Sequence, residues 1–218
     1  MKKHLPFTLD ISVWTLIVWF FLALLKATGW VFFCYGLMFL HEAAHTCSAC
    51  FFGCPVLSIK VYPFGLCAHL EGIEDLSRLK KAFVYVSGPS VHLFVQILIV
   101  LFFKLGVLSL VMRNYLTQLN LNYFVFNLLP IYPLDGYHLL LTFLQVKLSF
   151  YSSAIFMQLF SFIALLLFIR FSPAQNLVFV LCAVLLCGIN VFHLFHLRDQ
   201  WMNYQLKMSF SQFTRKTS

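Results

Sequence analysis

Long apolar runs alternate with short polar breaks along the whole chain. The runs cover about 7–25, 30–52, 82–105, 115–129, 152–171 and 174–194. About 20 apolar residues suffice for a helix to cross a bilayer. The pattern predicts an all-α membrane protein with about six transmembrane helices. The first run is interrupted by Asp10 near its start. It is too long for a signal peptide and lacks a clear small-residue cleavage site, so it reads as an uncleaved span.

Between the second and third runs the period changes. From Pro55 to Tyr62 apolar and polar residues alternate in part, with several β-branched side chains. Pro63-Phe64-Gly65 marks a turn, and Leu66 to Leu70 reads as a return strand. A small β-hairpin is predicted there. It is either a plain surface connection or an exposed edge that pairs with an extended substrate segment. Glu71, Glu74, Asp75, Arg78, Lys80 and Lys81 then read as a solvated loop.

Composition narrows the class. Of 218 residues, 61% are hydrophobic and only 10% charged, against about 25% charged in soluble domains. The net charge of +8 would suggest nucleic acid in a soluble chain. Here it reflects loop lysines and arginines beside a lipid bilayer, and no nucleic-acid partner is expected. With six spans and a cytoplasmic N-terminus, eleven of the 15 Lys and Arg residues fall on the cytoplasmic side. Both termini are therefore expected in the cytoplasm. Residues 1–196 read as one integral membrane domain. Residues 197–218 read as a basic, aromatic tail on an anionic leaflet.

The second run contains His41-Glu42-Ala43-Ala44-His45. Residues i and i+4 of a helix lie on one face, so both histidines can bind one zinc ion. Glu42 sits close enough to take a proton from a water on that metal. A carboxylate in an apolar helix costs about 2.5–3.5 kcal/mol on insertion scales, which favours a working role over an incidental one. The fourth run ends irregularly at Asn127-Leu128-Leu129-Pro130-Ile131-Tyr132-Pro133-Leu134-Asp135-Gly136. Irregular backbone at membrane depth survives where it is buried in protein or lines a wet cavity. Asp135 is the second costly acid in these runs and is expected as the third zinc ligand. Its alternative role is capping a helix that begins near Tyr137, and His138 is a rival ligand.

Other polar residues read more plainly. Ser87-Gly88-Pro89-Ser90 suits close helix packing, and His92 an interhelical hydrogen bond. His193 and His196 read as interfacial residues. Cys47, Cys50 and Cys54 point away from His41 on the same helix, and no structural disulfide is expected from the seven cysteines.

The paired motifs, H-E-x-x-H in one span and N-x-x-P-x-x-P-L-D-G in a later one, resemble the site-2 protease family of intramembrane zinc metalloproteases. The resemblance implies Zn2+ on His41, His45 and Asp135, with Glu42 as general base and acid. It implies that Asn127 positions substrate or stabilises charge, that Pro133 shapes the loop, and that Pro63, Phe64 and Gly65 belong to a substrate-binding hairpin. It implies a membrane-associated protein substrate, cut in or near the bilayer of a bacterial cell or forespore. In the sporulation members that substrate is a sigma-factor precursor, and membrane inhibitors or regulatory partners are expected with it. Those members carry a C-terminal nucleotide-sensing CBS domain, which this chain is expected to lack. The alternative reading is a membrane metal-binding protein or transporter using the same ligands.

Overall fold

The computed structural model describes residues 8–24, 28–62, 65–171, 183–197, 199 and 202. It is mostly helical with a small sheet. The chain divides into two compact units, Met1–Asn127 and Leu128–Ser218.

The first unit opens with a short strand, β1 (Thr8–Ile11), and then α1 (Val13–Leu24) and α2 (Thr28–Phe51). The hairpin follows as β2 (Val56–Tyr62) and β3 (Gly65–Leu70). A 3-10 turn at Ile73–Asp75 leads into α3 (Arg78–Lys104) and α4 (Leu110–Asn127). The β-hairpin is borne out, but the sheet has three strands in the order β1-β2-β3. β1 runs parallel to β2, placing Asp10 opposite Lys60 and Ile11 opposite Val61. Parallel strands need a long crossover, which α1 and α2 supply. The expected first span over 7–25 is corrected accordingly. Thr8 and Asp10 leave the helical pattern for the edge of the sheet, and the helix starts only at Val13. Thr15 fixes that start by donating its hydroxyl to Val61 O at 2.9 Å.

α2 stops at a glycine. Gly53 adopts φ 88, a left-handed conformation that closes helices cheaply only without a Cβ. Cys54 N then donates to Ala49 O at 3.0 Å. Arg78, Lys80 and Lys81 are not loop residues as expected but the first turn of α3. There Lys81 pairs with Glu74 at 3.1 Å.

Two apolar clusters hold this unit. Leu37, Val95 and Ile99 pack with Phe33, Val91, Leu108 and Leu116. Ala49, Cys54 and Val84 pack with Phe52, Leu70, Ile73 and Leu76, tying the hairpin to the helices.

The second unit contains α5 (Asp135–Leu144), α6 (Phe150–Phe171) and α7 (Ala183–Leu197). Among the described residues, two helices are long and apolar enough to cross a membrane: Arg78–Lys104 and Phe150–Arg170. Much of the expected sixth span, the tail beyond 202, and Pro63 and Phe64 lie outside the described residues. Large side chains such as Phe32, Phe94, Leu166 and Phe192 are exposed. Such apolar outer faces suit a hydrocarbon surround.

Candidate metal centre

α2 brings His41 and His45 together as their spacing predicts. Both rings are buried, and their Nε2 atoms lie 3.1 Å apart. Neighbouring hydrogen bonds fix which nitrogens carry protons. His45 Nδ1 lies 2.7 Å from Val84 O, a pure acceptor, so Nδ1 carries the hydrogen. An imidazole with its one hydrogen on Nδ1 offers Nε2 as an acceptor. His41 Nδ1 lies 3.2 Å from His92 Nε2, and His92 Nδ1 lies 2.8 Å from Asn120 Oδ1. Asn120 Oδ1 is an acceptor, so His92 donates to it and accepts from His41. The same tautomer makes Nε2 the accepting nitrogen of His41.

Each Nε2 faces the other across 3.1 Å as an accepting nitrogen, an arrangement that suits a shared cation. Two nitrogens on one tetrahedral zinc, each about 2.0–2.1 Å from it, stand about 3.3 Å apart. The pair thus fits a zinc ion with little adjustment.

α3 makes room for this arrangement. A Cβ at Gly88 would overlap Nε2, Cε1 and Cδ2 of the His45 ring. The small-residue motif therefore serves the approach of α3 to a histidine side chain. Beside it, Ser48 and Ser87 share a hydrogen bond at 2.9 Å. Pro89 lies within α3 and is buried.

Glu42 is held by the hairpin. Its Oε1 accepts the backbone N–H of Ala68 at 2.7 Å. The carboxylate also acts on the neighbouring thiol. Burial chiefly, then Glu42, pushes the Cys67 thiol up from its usual range, while Lys60 draws it down. Asn127 ends α4, and its amide donates to Tyr123 O at 3.1 Å, one turn back. Gly65 begins β3.

In the second unit Asp135 is the first residue of α5, and the cap position belongs to Leu134, which makes no side-chain cap bond. The alternative role of Asp135 as a cap is thus corrected, because the helix starts two residues earlier than Tyr137. Gly136 is again required by space, since a Cβ would overlap Leu128 O. Pro133 is exposed and follows a cis peptide bond.

The loop before Asp135 is held by polar side chains that the sequence reading missed. Asn190 is fully buried. It donates to Tyr132 O at 2.8 Å and to Leu186 O at 2.8 Å. Its Oδ1 accepts from Ser161 at 2.6 Å and from Gln158 at 3.1 Å. Tyr132 N donates to Ser161 Oγ at 2.9 Å. Both peptide groups of Tyr132 are therefore bound by α6 and α7. His193 is buried, not interfacial as expected. It stacks on Tyr132 at 3.7 Å and bonds Gln158 Oε1 at 2.7 Å. His196, by contrast, is exposed. A signal for this cluster was present, since Gln158, Ser161 and Asn190 all interrupt apolar runs.

The six described cysteines, Cys34, Cys47, Cys50, Cys54, Cys67 and Cys187, are free. Cys54 packs against Ala49 and Val84, and burial chiefly raises its thiol above the usual range.

No family model matches the chain. The chain is 30% identical over 153 residues to the stage IV sporulation protein FB of Bacillus subtilis strain 168. That stretch is 69% of this chain and 53% of the relative, so the chain spans about half the length of that protein. The fold matches the site-2 protease from Methanocaldococcus jannaschii with a TM-score of 0.62 at 19% identity. The match covers 85% of this chain and 90% of that one.

Proposed function

We infer that this chain, which resembles the site-2 proteases in sequence and in fold, is an intramembrane metalloprotease of that type. The reading is carried by the Nε2 atoms of His41 and His45, 3.1 Å apart and buried in α2.

The proposed metal is zinc, held by His41, His45 and Asp135. In support, the two imidazole nitrogens stand 3.1 Å apart, and Asp135 begins α5 directly after the irregular stretch that carries the resemblance. Two imidazoles and one carboxylate leave the fourth position of a tetrahedral zinc open, as a catalytic site requires. When bound, zinc supplies an acidified water and a Lewis acid for the scissile carbonyl. Glu42 would serve there as the group that takes up a proton and returns it to the leaving amine. Glu42 is supported for this work by the Ala68 N–H, which fixes one carboxylate oxygen.

We assign Asn127 a supporting catalytic role, positioning substrate or stabilising charge. Pro63, Phe64, Gly65 and Pro133 are proposed to guide substrate. A helical substrate must unwind first, because its carbonyls are otherwise bonded within the helix. The proposed substrate is a membrane-associated protein, and the likeness to a sporulation protein makes a sigma-factor precursor the first candidate. Membrane inhibitors or regulators are proposed as further partners.

The proposed topology keeps six spans in one domain over residues 1–196, with both termini cytoplasmic in a bacterial cell or forespore membrane. A basic tail follows at 197–218.

Metal analysis of the purified chain tests the centre. The expected result is one zinc per chain, lost in His45→Ala and weakened in Asp135→Asn. A wild type that binds no zinc would overturn the reading.

A further inference from the structure

We infer that His92 and Asn120 position His41, so that the metal affinity of the centre is set through α3 from a carboxamide on α4. The inference rests on the metal reading above and deepens it.

The relay is continuous. Asn120 and His92 are among the most deeply buried polar residues, at 0% and 1% exposure. Asn120 Nδ2 donates to His92 O at 2.8 Å and towards Gln96 Oε1 at 3.4 Å. Gln96 in turn donates to Thr117 Oγ1 at 3.1 Å. Both contacts of the Asn120 amino group are oxygens that accept, so its carbonyl oxygen is the atom facing His92 Nδ1 at 2.8 Å. That choice passes along the chain. His92 carries its hydrogen on Nδ1, accepts at Nε2, and receives the Nδ1–H of His41 at 3.2 Å. The metal-side nitrogen of His41 is its accepting one because Asn120 is an amide held in one orientation.

A ligating histidine usually donates its second ring nitrogen to a carboxylate, carbonyl or water, which fixes its tautomer and its ring rotation. Here that partner is a second histidine backed by an asparagine. None of the three is a carboxylate. A carboxylate in their place would add a costly charge to an apolar helix pair. The other ligand needs no such relay, because Val84 O accepts directly from His45 Nδ1 at 2.7 Å.

Asn120→Leu removes the acceptor. His92 is then free to carry its hydrogen on Nε2, facing His41, and His41 answers by carrying its own on the metal side. The relay runs backwards and the ligand is blocked until its proton leaves.

The test uses the full chain in detergent. Zinc affinity is measured by competition with a chromophoric chelator, and the ligand field by the absorption of the cobalt-loaded protein. Asn120→Leu and His92→Leu are expected to weaken zinc about 10–100-fold and change the cobalt spectrum. His92→Gln keeps an acceptor at the ε position and is expected within about threefold of wild type on the same scale. Gln96 lies outside the path to His41: Gln96→Leu leaves the Asn120 amino group held by His92 O at 2.8 Å and is expected to bind zinc as wild type does. Wild-type affinity in both leucine variants at 92 and 120 overturns the relay, whatever their melting temperatures. So does equal weakening in Gln96→Leu, which would mark a packing effect. A wild type that binds no metal removes the metal reading and the relay with it, an outcome distinct from the other two.

Discussion

The Ala68 N–H donates to the Glu42 carboxylate at 2.7 Å. The sheet thereby reaches into the centre: a strand amide orients the side chain proposed to move the proton. Ala68→Pro deletes that donor, and proline is tolerated on an edge strand. Turnover is expected to fall about 10–100-fold, the range for lost outer-shell bonds, with zinc content unchanged. Steady-state kinetics alongside metal analysis checks this. Unchanged turnover would remove Ala68 from the account.

Gly88→Ala places a methyl group against the His45 ring, where no space exists. Neither the ring nor the helix backbone yields cheaply in a packed interior. Zinc affinity is expected to drop by at least about tenfold, in line with a displaced ligand. Gly36→Ala, on the same helix as His45 but with nothing near its Cβ, serves as control and is expected to leave affinity intact.

Asn190→Leu leaves Tyr132 O and the Ser161 and Gln158 side chains without their shared partner. Each buried polar group left unsatisfied costs about 1–3 kcal/mol. The melting temperature is expected to fall by several degrees and zinc to bind more weakly, because the loop that precedes Asp135 loses its anchor. A stable variant with wild-type zinc affinity would show that Tyr132 needs no such clamp.

Cys67 reports on the charge of Glu42. Its thiol is pushed up by burial first and by the Glu42 carboxylate second. A raised thiol holds less of the reactive thiolate at a given pH, so alkylation of Cys67 is expected to be slow near neutrality. Glu42→Gln removes one negative charge, brings the thiol down and increases the thiolate fraction. Iodoacetamide labelling at about pH 8 is therefore expected to speed up in that variant. An unchanged rate would show that the two groups do not interact.

What could be read in the sequence depended on distance along the chain. His41 and His45 are one turn apart, so helical periodicity alone placed both rings on one face. The hairpin was legible because Pro63-Phe64-Gly65 separates two short runs of strand-forming residues. β1 was not, because Thr8 to Ile11 abuts an apolar helix and its partner β2 begins only at Val56. The polar supports were missed for a related reason. Asn120 bonds His92 from 28 residues away, and Asn190 bonds Gln158 from 32 away. Carboxylates in apolar runs stand out by their cost, whereas carboxamides cost less and draw attention only when both partners are known. The role of Gly88 was likewise hidden, since the atom it accommodates belongs to another helix.

Glu42 is proposed to work on a metal held beside it. The most direct measurement is cleavage of a membrane-associated sigma-factor precursor, with zinc content determined in parallel, for wild type and Glu42→Gln. Zinc is expected in both proteins and cleavage only by wild type. Equal cleavage by Glu42→Gln would contradict it.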